Sequence, residues 1–499
     1  MTVRHWVLPA VTLLTLSALV SGCTYSGPAT GAQSGANTGF AQESTLTPNQ
    51  AGSEAEIDPC RQVELRQQLL EAFDLPVSVA CLPAPKGLLT IEIGTGGRPL
   101  PTSKDEGALP VRLTFHSDDA VLRAPGTIKV QGSSTAGWPK KNWSLKLYTN
   151  AERDVELPLQ IGDSVPSDSW VAKAEWIDPS QLRNHIAYNL WGDMARARST
   201  SPEADSSSPS FEVNHSDGPH YDGATGYPKT FLAQVLVNGE HYGISTLTLG
   251  RDPANFNIDA NNPKHSYLEF DARGGSDPEK DWSKFSTWST DTHLESYLSE
   301  DGSLNADEAR SVNYLGALLN GSQENFEEMF DHYLDLDNAV DMLLYLEVLH
   351  DWDAVAQDVQ LVSYDSQHWY FLPWDKDTTF GMSWDGSGIM KGSEEQLLIN
   401  YETENPTQKP WYKTYVAFQP QVEARYAELR DAGVFTTENI QSYVDDANKR
   451  IPRSVWKAER DTWDEVGRPS VDEADGQQLV EWFDARLTVL DDHFNYRGA

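Results

Sequence analysis

The densest chemical signal in the chain lies between residues 347 and 381. His350-Asp351-Trp352-Asp353 ends an apolar stretch that includes Met342, Leu343, Leu344, Leu346, Val348 and Leu349. Asp358 opens a strand-like run five residues after Asp353, and a returning run leads into Pro373-Trp374-Asp375-Lys376-Asp377. Acids at the ends of two paired strands point to one place. Hard oxygen ligands of this kind suit Mg²⁺ or Mn²⁺, and a divalent ion is the usual reason to gather side chains that repel one another. Phosphoryl transfer uses such a set: one Asp that accepts the proton of the attacking hydroxyl, an Asx five residues later, and an Asp beyond a hairpin. Two other readings stand beside it. The acids could form a solvated rim around a tight hairpin in an acid-rich chain, or a pair of them with tryptophan platforms could hydrolyse glycosides.

Strand-like segments dominate the region that precedes this cluster. Leu88-Leu-Thr-Ile-Glu-Ile, Val111-Arg-Leu-Thr-Phe, Thr127-Ile-Lys-Val and Asn142-Trp-Ser-Leu-Lys-Leu-Tyr are separated by turns rich in Gly, Pro and Asp. A helix is expected over about 179–196, capped by Asp178 with Pro179 at its first position. Asn238-Gly239, between Phe231–Val237 and Tyr242–Leu249, predicts a type I′ hairpin. Residues 198–228 and 271–290 are polar and loop-like, and 291–350 is mostly helical in pattern. A hairpin is expected over 358–372, and amphipathic helix from Pro410 onward, where Tyr415, Phe418, Val422, Tyr426 and Leu429 recur at helical spacing. The fold class is α+β, with a strand-rich N-terminal half and a helix-rich C-terminal half. No zinc, Ser-His-Asp or Walker motif is present.

The chain has 499 residues, of which 38 are Lys or Arg and 75 are Asp or Glu, so its formal charge is −37. With 39% apolar residues and 16 Trp it can bury a large core. The negative field excludes nucleic-acid binding through a basic surface and suits a medium of high ionic strength. At the N-terminus, Arg4, an apolar run from Trp6 to Val20 and Ser21-Gly22-Cys23 form a bacterial export signal. A small residue directly before a cysteine there resembles a lipoprotein signal. Residues 1–22 are then cleaved, Cys23 carries the lipid, and the protein sits at the cell envelope, periplasmic or on the cell surface. Residues 23–55, rich in Gly, Ser, Ala and Thr, read as a tether. Residues 56–87 read as a helical cap, with Leu65, Leu69, Leu70 and Phe73 on one face and a Cys60–Cys81 disulfide as its staple. Closing that loop would contribute roughly 3 kcal/mol. Residues 88–499 remain for the principal domain.

Four blocks in order resemble the CotH family, named for a spore coat protein and related in an atypical way to protein kinases. Gly132-Ser133-Ser134 through Pro139-Lys140-Lys141-Asn142-Trp143-Ser144-Leu145-Lys146-Leu147 resembles its Arg-Gly-Asn-Ser-Ser…Pro-Lys-Lys-Ser…Leu-Lys signature. Trp170-Val171 with Asp178 and Leu182-Arg183-Asn184 is similar to a second block, and Val237-Asn238-Gly239-Glu240-His241-Tyr242-Gly243 to a third. Pro373-Trp374-Asp375-Lys376-Asp377-Thr378-Thr379-Phe380-Gly381 resembles the Pro-Trp-Asp-x-Asp-x-x-Phe-Gly block closely. The resemblance implies an atypical protein kinase-like fold that binds ATP with Mg or Mn and phosphorylates Ser or Thr of a protein substrate at the envelope. Asp353 would be the catalytic acid, Asp358 would stand where the family has a metal-binding Asn, and Asp375 or Asp377 would hold the metal. Lys140, Lys141 or Lys146 would neutralise phosphate, with Gly132, Ser133 and Ser134 offering backbone N–H groups. Arg183 is a further nucleotide contact, or pairs with a core acid. Gln131, Leu249 and Asp358 depart from the family pattern. The extra charge of Asp358 either strengthens metal binding or marks a relaxed member, and a non-catalytic envelope scaffold is the alternative to an enzyme.

Overall fold

The computed structural model describes Cys60 and residues 79–132, 134–199, 224–271, 293–299, 302–355, 357–399, 409–466 and 476–498. The chain divides into Met1–Glu56 and Ile57–Ala499, and all described residues belong to the second unit. The export signal, Cys23, the tether and the helix between the two cysteines lie outside the described residues. Cys60 and Cys81 are joined by a disulfide with their Cα atoms 5.4 Å apart.

The N-terminal half is built on strands β2 (Leu89–Gly94), β3 (Leu109–Ser117), β4 (Ala120–Gln131), β5 (Asn142–Leu147), β7 (Ser169–Lys173), β8 (Thr230–Val237) and β9 (Glu240–Leu249). They close into a barrel in the order β2-β3-β4-β5-β7-β9-β8. Every pairing is antiparallel except the last, where Leu89–Ile93 runs parallel to Ala233–Val237 and joins the two ends of the sheet. Alternation drives this arrangement. In β2, Leu89, Ile91 and Ile93 are buried while Thr90 and Glu92 between them are less so, and Trp143, Leu145 and Leu147 of β5 turn inward in the same way. Closure leaves no barrel edge to pair with another chain. The Asn238-Gly239 turn has φ of 51° and 84°, as a type I′ hairpin requires. Two short strands, β1 (Ala80–Leu82) and β6 (Leu159–Ile161), pair in parallel outside the barrel.

The C-terminal half carries a four-stranded antiparallel sheet, in the order β11 (His293–Ser296), β10 (Ser266–Asp271), β12 (Val359–Ser363), β13 (Trp369–Leu372). Helix α1 (Arg183–Ser199) interrupts the barrel strands in sequence, between β7 and β8, and α2 (Ala306–Asn320), α3 (Gln323–Met329) and α4 (Leu336–Leu349) follow after the barrel. The tail forms α5 (Lys409–Asp431), α6 (Thr437–Arg450), α7 (Arg453–Trp463) and α8 (Gln477–His493). Helix α4 is buried without interruption from Asn338 to Leu349 and is the axis of this half. Truncating Leu344 or Leu349 would cost about 2–5 kcal/mol.

The α+β class and the division into a strand-rich and a helix-rich half are as expected. The details differ in three places. The expected hairpin is one edge of a larger sheet, because Ser266–Phe270, not anticipated as a strand, pairs along β12. The 291–350 span holds β11 as well as helices. Helix α1 starts at Arg183, because the Asp178 carboxylate accepts the N–H groups of Leu182 and Arg183, each at 2.8 Å, and holds the intervening residues in a turn.

Candidate functional site

A narrow cleft of about 10 Å³ is walled by Thr135, Trp138, Lys140 and Asn142 from the turn before β5 and its first residue. Lys173, Glu175, Trp176 and Ile177 at the end of β7 form a second wall, with Asn184 of α1, Asp375 and Asp377 opposite. Asn142 knits the first two walls together. Its carbonyl accepts the Ala174 N–H at 2.6 Å, and its amide donates to Thr135 and to Gln131 at 3.3 Å each. Gly132 has φ of 104°, and a side chain there would collide with the Thr135 hydroxyl, so the turn at the start of the first block requires glycine. Asn184 performs the matching task below, donating to Glu175 at 2.9 Å and accepting the Lys376 N–H at 2.9 Å.

Lys173 stands at the centre of the charges. It is buried, forms an ion pair with Asp375 and lies 5.3 Å from the centre of the Trp374 ring. Burial alone would lower its pKa, but Asp375, Asp377 and Glu175 act together to raise it. Burial would also raise Asp375, yet Lys173, and behind it Arg251 and Lys376, hold its carboxyl below the usual range. Asp377 goes the other way, pushed well above that range by burial and by Asp375. Glu175 is raised to about 7 by burial and by Asp178. Its Oε1 is buried without a hydrogen-bond partner.

Asp353 follows α4 directly, and its charge acts on Asp351, Asp358 and Asp377, so all four lie within electrostatic reach. Asp358 is raised to about 8 by burial and by Asp375 and Glu269. Glu175, Asp358 and Asp375 have φ of 52°, 52° and 49°, a conformation that non-glycine residues avoid unless the surroundings impose it. Below them, Lys376 donates to Asp351 at 2.5 Å in a buried pair, which anchors the turn that presents Asp375 and Asp377.

The structure thus brings Asp353, Asp358, Asp375 and Asp377 together. It distributes the candidate phosphate contacts more widely. Lys140 reaches the cleft wall but its ammonium donates to Gln181 at 2.9 Å, the Ile244 carbonyl at 2.6 Å and Glu459 at 2.7 Å. Lys141 donates to the Ala136 carbonyl within its own turn. Lys146 lies on the outer face of the barrel, where it pairs with Glu156 and with Asp168 at 3.2 Å, because β5 alternates and its neighbours Leu145 and Leu147 turn inward. Arg183 is buried against Asp178, the Thr379 carbonyl at 2.9 Å and Gln478 at 2.6 Å. Gly132 stands at the rim, Ser134 opens a 3₁₀ turn that runs to Gly137, and Ser133 lies outside the described residues.

Three participants escape the sequence reading. Lys173 and Glu175 follow a strand with no sharp alternation of its own, and their role depends on Asp375, 202 residues beyond Lys173. Arg251, just past β9, forms an ion pair with Glu269 at 2.6 Å and lies 3.7 Å from Asp358. The one available signal was Trp170-Val171 itself, since a strand that precedes two charged residues within a buried block is unusual.

The donor set fits a hard divalent cation in part. It is all oxygen, and its acids outnumber the nearby cations. Among the described residues no three carboxylate, imidazole or thiol groups already converge as a finished ligand set. An ion held by two carboxylates and completed by phosphate oxygens would need no more than Asp375 and Asp377.

The family described as CotH kinase protein matches residues 128–496, from within β4 to just past α8. No curated protein matches the chain. The matched span contains the glycine turn, the lysine block, the four convergent acids and the helical tail, and the chain belongs to the CotH family.

Proposed function

We propose that this protein is a lipid-anchored, extracytoplasmic CotH-type kinase with an atypical kinase-like fold, which transfers phosphate from ATP to Ser or Thr of an envelope protein with Mg²⁺ or Mn²⁺. The observation that carries the reading is the surplus of acid around buried Lys173, in a cleft flanked by the glycine turn. Such an imbalance costs stability and is kept where a cation and a polyanion are to be bound. Asp375 and Asp377 would hold the divalent ion, which supplies charge neutralisation between the phosphates. Lys173 would exchange its pairing with Asp375 for phosphate oxygens, and backbone N–H groups of the Gly132 turn would orient them. Asp353 would accept the proton as the substrate hydroxyl oxygen bonds to the γ-phosphorus and the bond to the ADP oxygen breaks. The export signal and Cys23 support placement at the envelope through a lipid, with no role in nucleic-acid binding.

One observation favours a second reading. At about 10 Å³ the cleft holds little more than one water and lies far below ligand-site sizes, so a triphosphate would enter only if its walls parted. A scaffold that kept the fold without its catalysis would have such a cleft. Titration calorimetry of Ile57–Ala499 with ATP and Mn²⁺, repeated with EDTA, separates the two. Heat that requires Mn²⁺ and disappears in Asp375→Asn is expected, and no heat at millimolar ATP from folded protein overturns the kinase reading.

A further inference from the structure

Asp358 stands where the family resemblance puts a neutral, metal-binding Asn, and the structure supplies it with a partner that the four family blocks do not contain. Arg251 follows β9, two residues after Leu249, and enters the acid cluster beside Asp358 and Glu269. Its Nη2 lies 2.6 Å from Glu269 Oε2 and 3.7 Å from Asp358 Oδ1. Its guanidinium carbon lies 4.7 Å from the centre of the Trp374 ring and 5.0 Å from that of Tyr297. The Tyr297 hydroxyl and the Gln360 amide both donate to Glu269, so the acceptor of Arg251 is itself fixed. Two rings, a bonded acid and a second acid make a built seat for one planar cation.

We infer that Arg251 is a resident cation in the place of a second divalent ion. On this account the site takes one divalent ion, on the Asp375 and Asp377 side, and Glu269 neutralises Arg251 while Asp358, beside that guanidinium, does not ligate metal. A divalent ion at Asp358 would sit against the positive charge of Arg251, which lies 3.7 Å from that carboxylate and is already held by Glu269. Trp374 adds a structural reason. It directly precedes Asp375, so the ring under Arg251 links the fixed cation to the carboxylate that would hold the mobile one. The inference rests on the nucleotide-and-metal reading above and adds its stoichiometry.

The test counts Mn²⁺ bound per full-length chain in detergent, by equilibrium dialysis at saturating adenylyl imidodiphosphate, with circular dichroism as the check on folding. The wild type is expected to bind about one ion, Arg251→Lys about one, and Arg251→Gln about two. Asp358→Asn should leave the affinity for the single ion within about threefold. Two ions in the wild type overturn the inference while leaving the kinase reading intact, as does a single ion in folded Arg251→Gln. If Arg251→Gln fails to fold, Asp358→Asn decides: an affinity loss of about tenfold or more makes Asp358 a ligand and overturns the inference. No Mn²⁺ in any variant overturns the metal reading itself, and the inference falls with it.

Discussion

Lys140 and Lys173 enter the same cleft from neighbouring strands and meet opposite surroundings. The Lys140 ammonium has three acceptors, and its counter-ion Glu459 is equally occupied, taking the Ile244 N–H at 2.7 Å and facing His241 at 3.3 Å. Lys173 has one close acid and two more, Glu175 and Asp377, which burial and neighbouring acids hold raised in pKa despite its charge. The first cluster is closed and ties α7 of the tail to the barrel. The second is open and has capacity for a further positive charge. Two buried lysines are therefore told apart by whether their neighbours are satisfied, and burial says nothing about which one binds a ligand.

The largest expected effect breaks the closed cluster. Glu459→Ala strands the Lys140 charge and the Ile244 N–H, and should lower stability by about 3–5 kcal/mol in urea unfolding. A small change there would mean the two clusters are not different in kind.

Next comes pH. Glu175 has a folded pKa of about 7 against an ordinary 4.5, so the folded state binds more protons between those values; stability is greatest below 4.5 and is lost as pH rises through 7. His185, half-buried against Thr230 and lowered to about 4 by desolvation and Arg450, has the opposite sign, losing stability as pH falls from 6.5 through 4. Each group accounts for up to about 3 kcal/mol, so Glu175→Gln should abolish a loss on the neutral side and His185→Gln a loss on the acid side of the stability profile.

Lys173→Met should weaken Mn²⁺-ATP binding by about 10- to 100-fold in calorimetry with the fold retained, whereas Lys146→Met, on the outer face, should leave it unchanged. Equal losses would return the phosphate contact to the lysine block. Smaller still, Asp377→Asn should raise the melting temperature of the metal-free protein, by the equivalent of about 1 kcal/mol, while impairing Mn²⁺ binding. Destabilisation by that change would show that Asp377 is held by contacts and is not a strained surplus.

Much of this was legible in the sequence where the signal is local. The spacing put Asp353, Asp358, Asp375 and Asp377 within electrostatic reach of one another, and the Asn238-Gly239 turn and the inward face of Trp143, Leu145 and Leu147 follow from period and turn chemistry. Barrel closure does not, because the pairing of Leu89–Ile93 with Ala233–Val237 joins segments far apart with nothing in either to name the other. The same holds for Ser266–Asp271, whose strand character is fixed by neighbours on both sides. Lys146 shows how a correct local reading can leave the role open: the alternation that makes β5 a strand also directs that lysine out of the barrel.

Glu175 and Asp358, together with Gln181, His350, Asp375 and Phe380, hold left-handed backbone in and around the cleft. Glycine or asparagine would adopt that conformation with less strain, by about 1 kcal/mol at a typical position. Drift therefore has a direction here. A lineage released from selection on this cleft gains stability by exchanging these side chains for glycine or asparagine, and would record its retirement in the backbone before losing the fold. Glu175, Asp358 and Asp375 all hold the left-handed conformation here, Glu175 most strongly against its backbone preference, so the strain of this cleft is still in place.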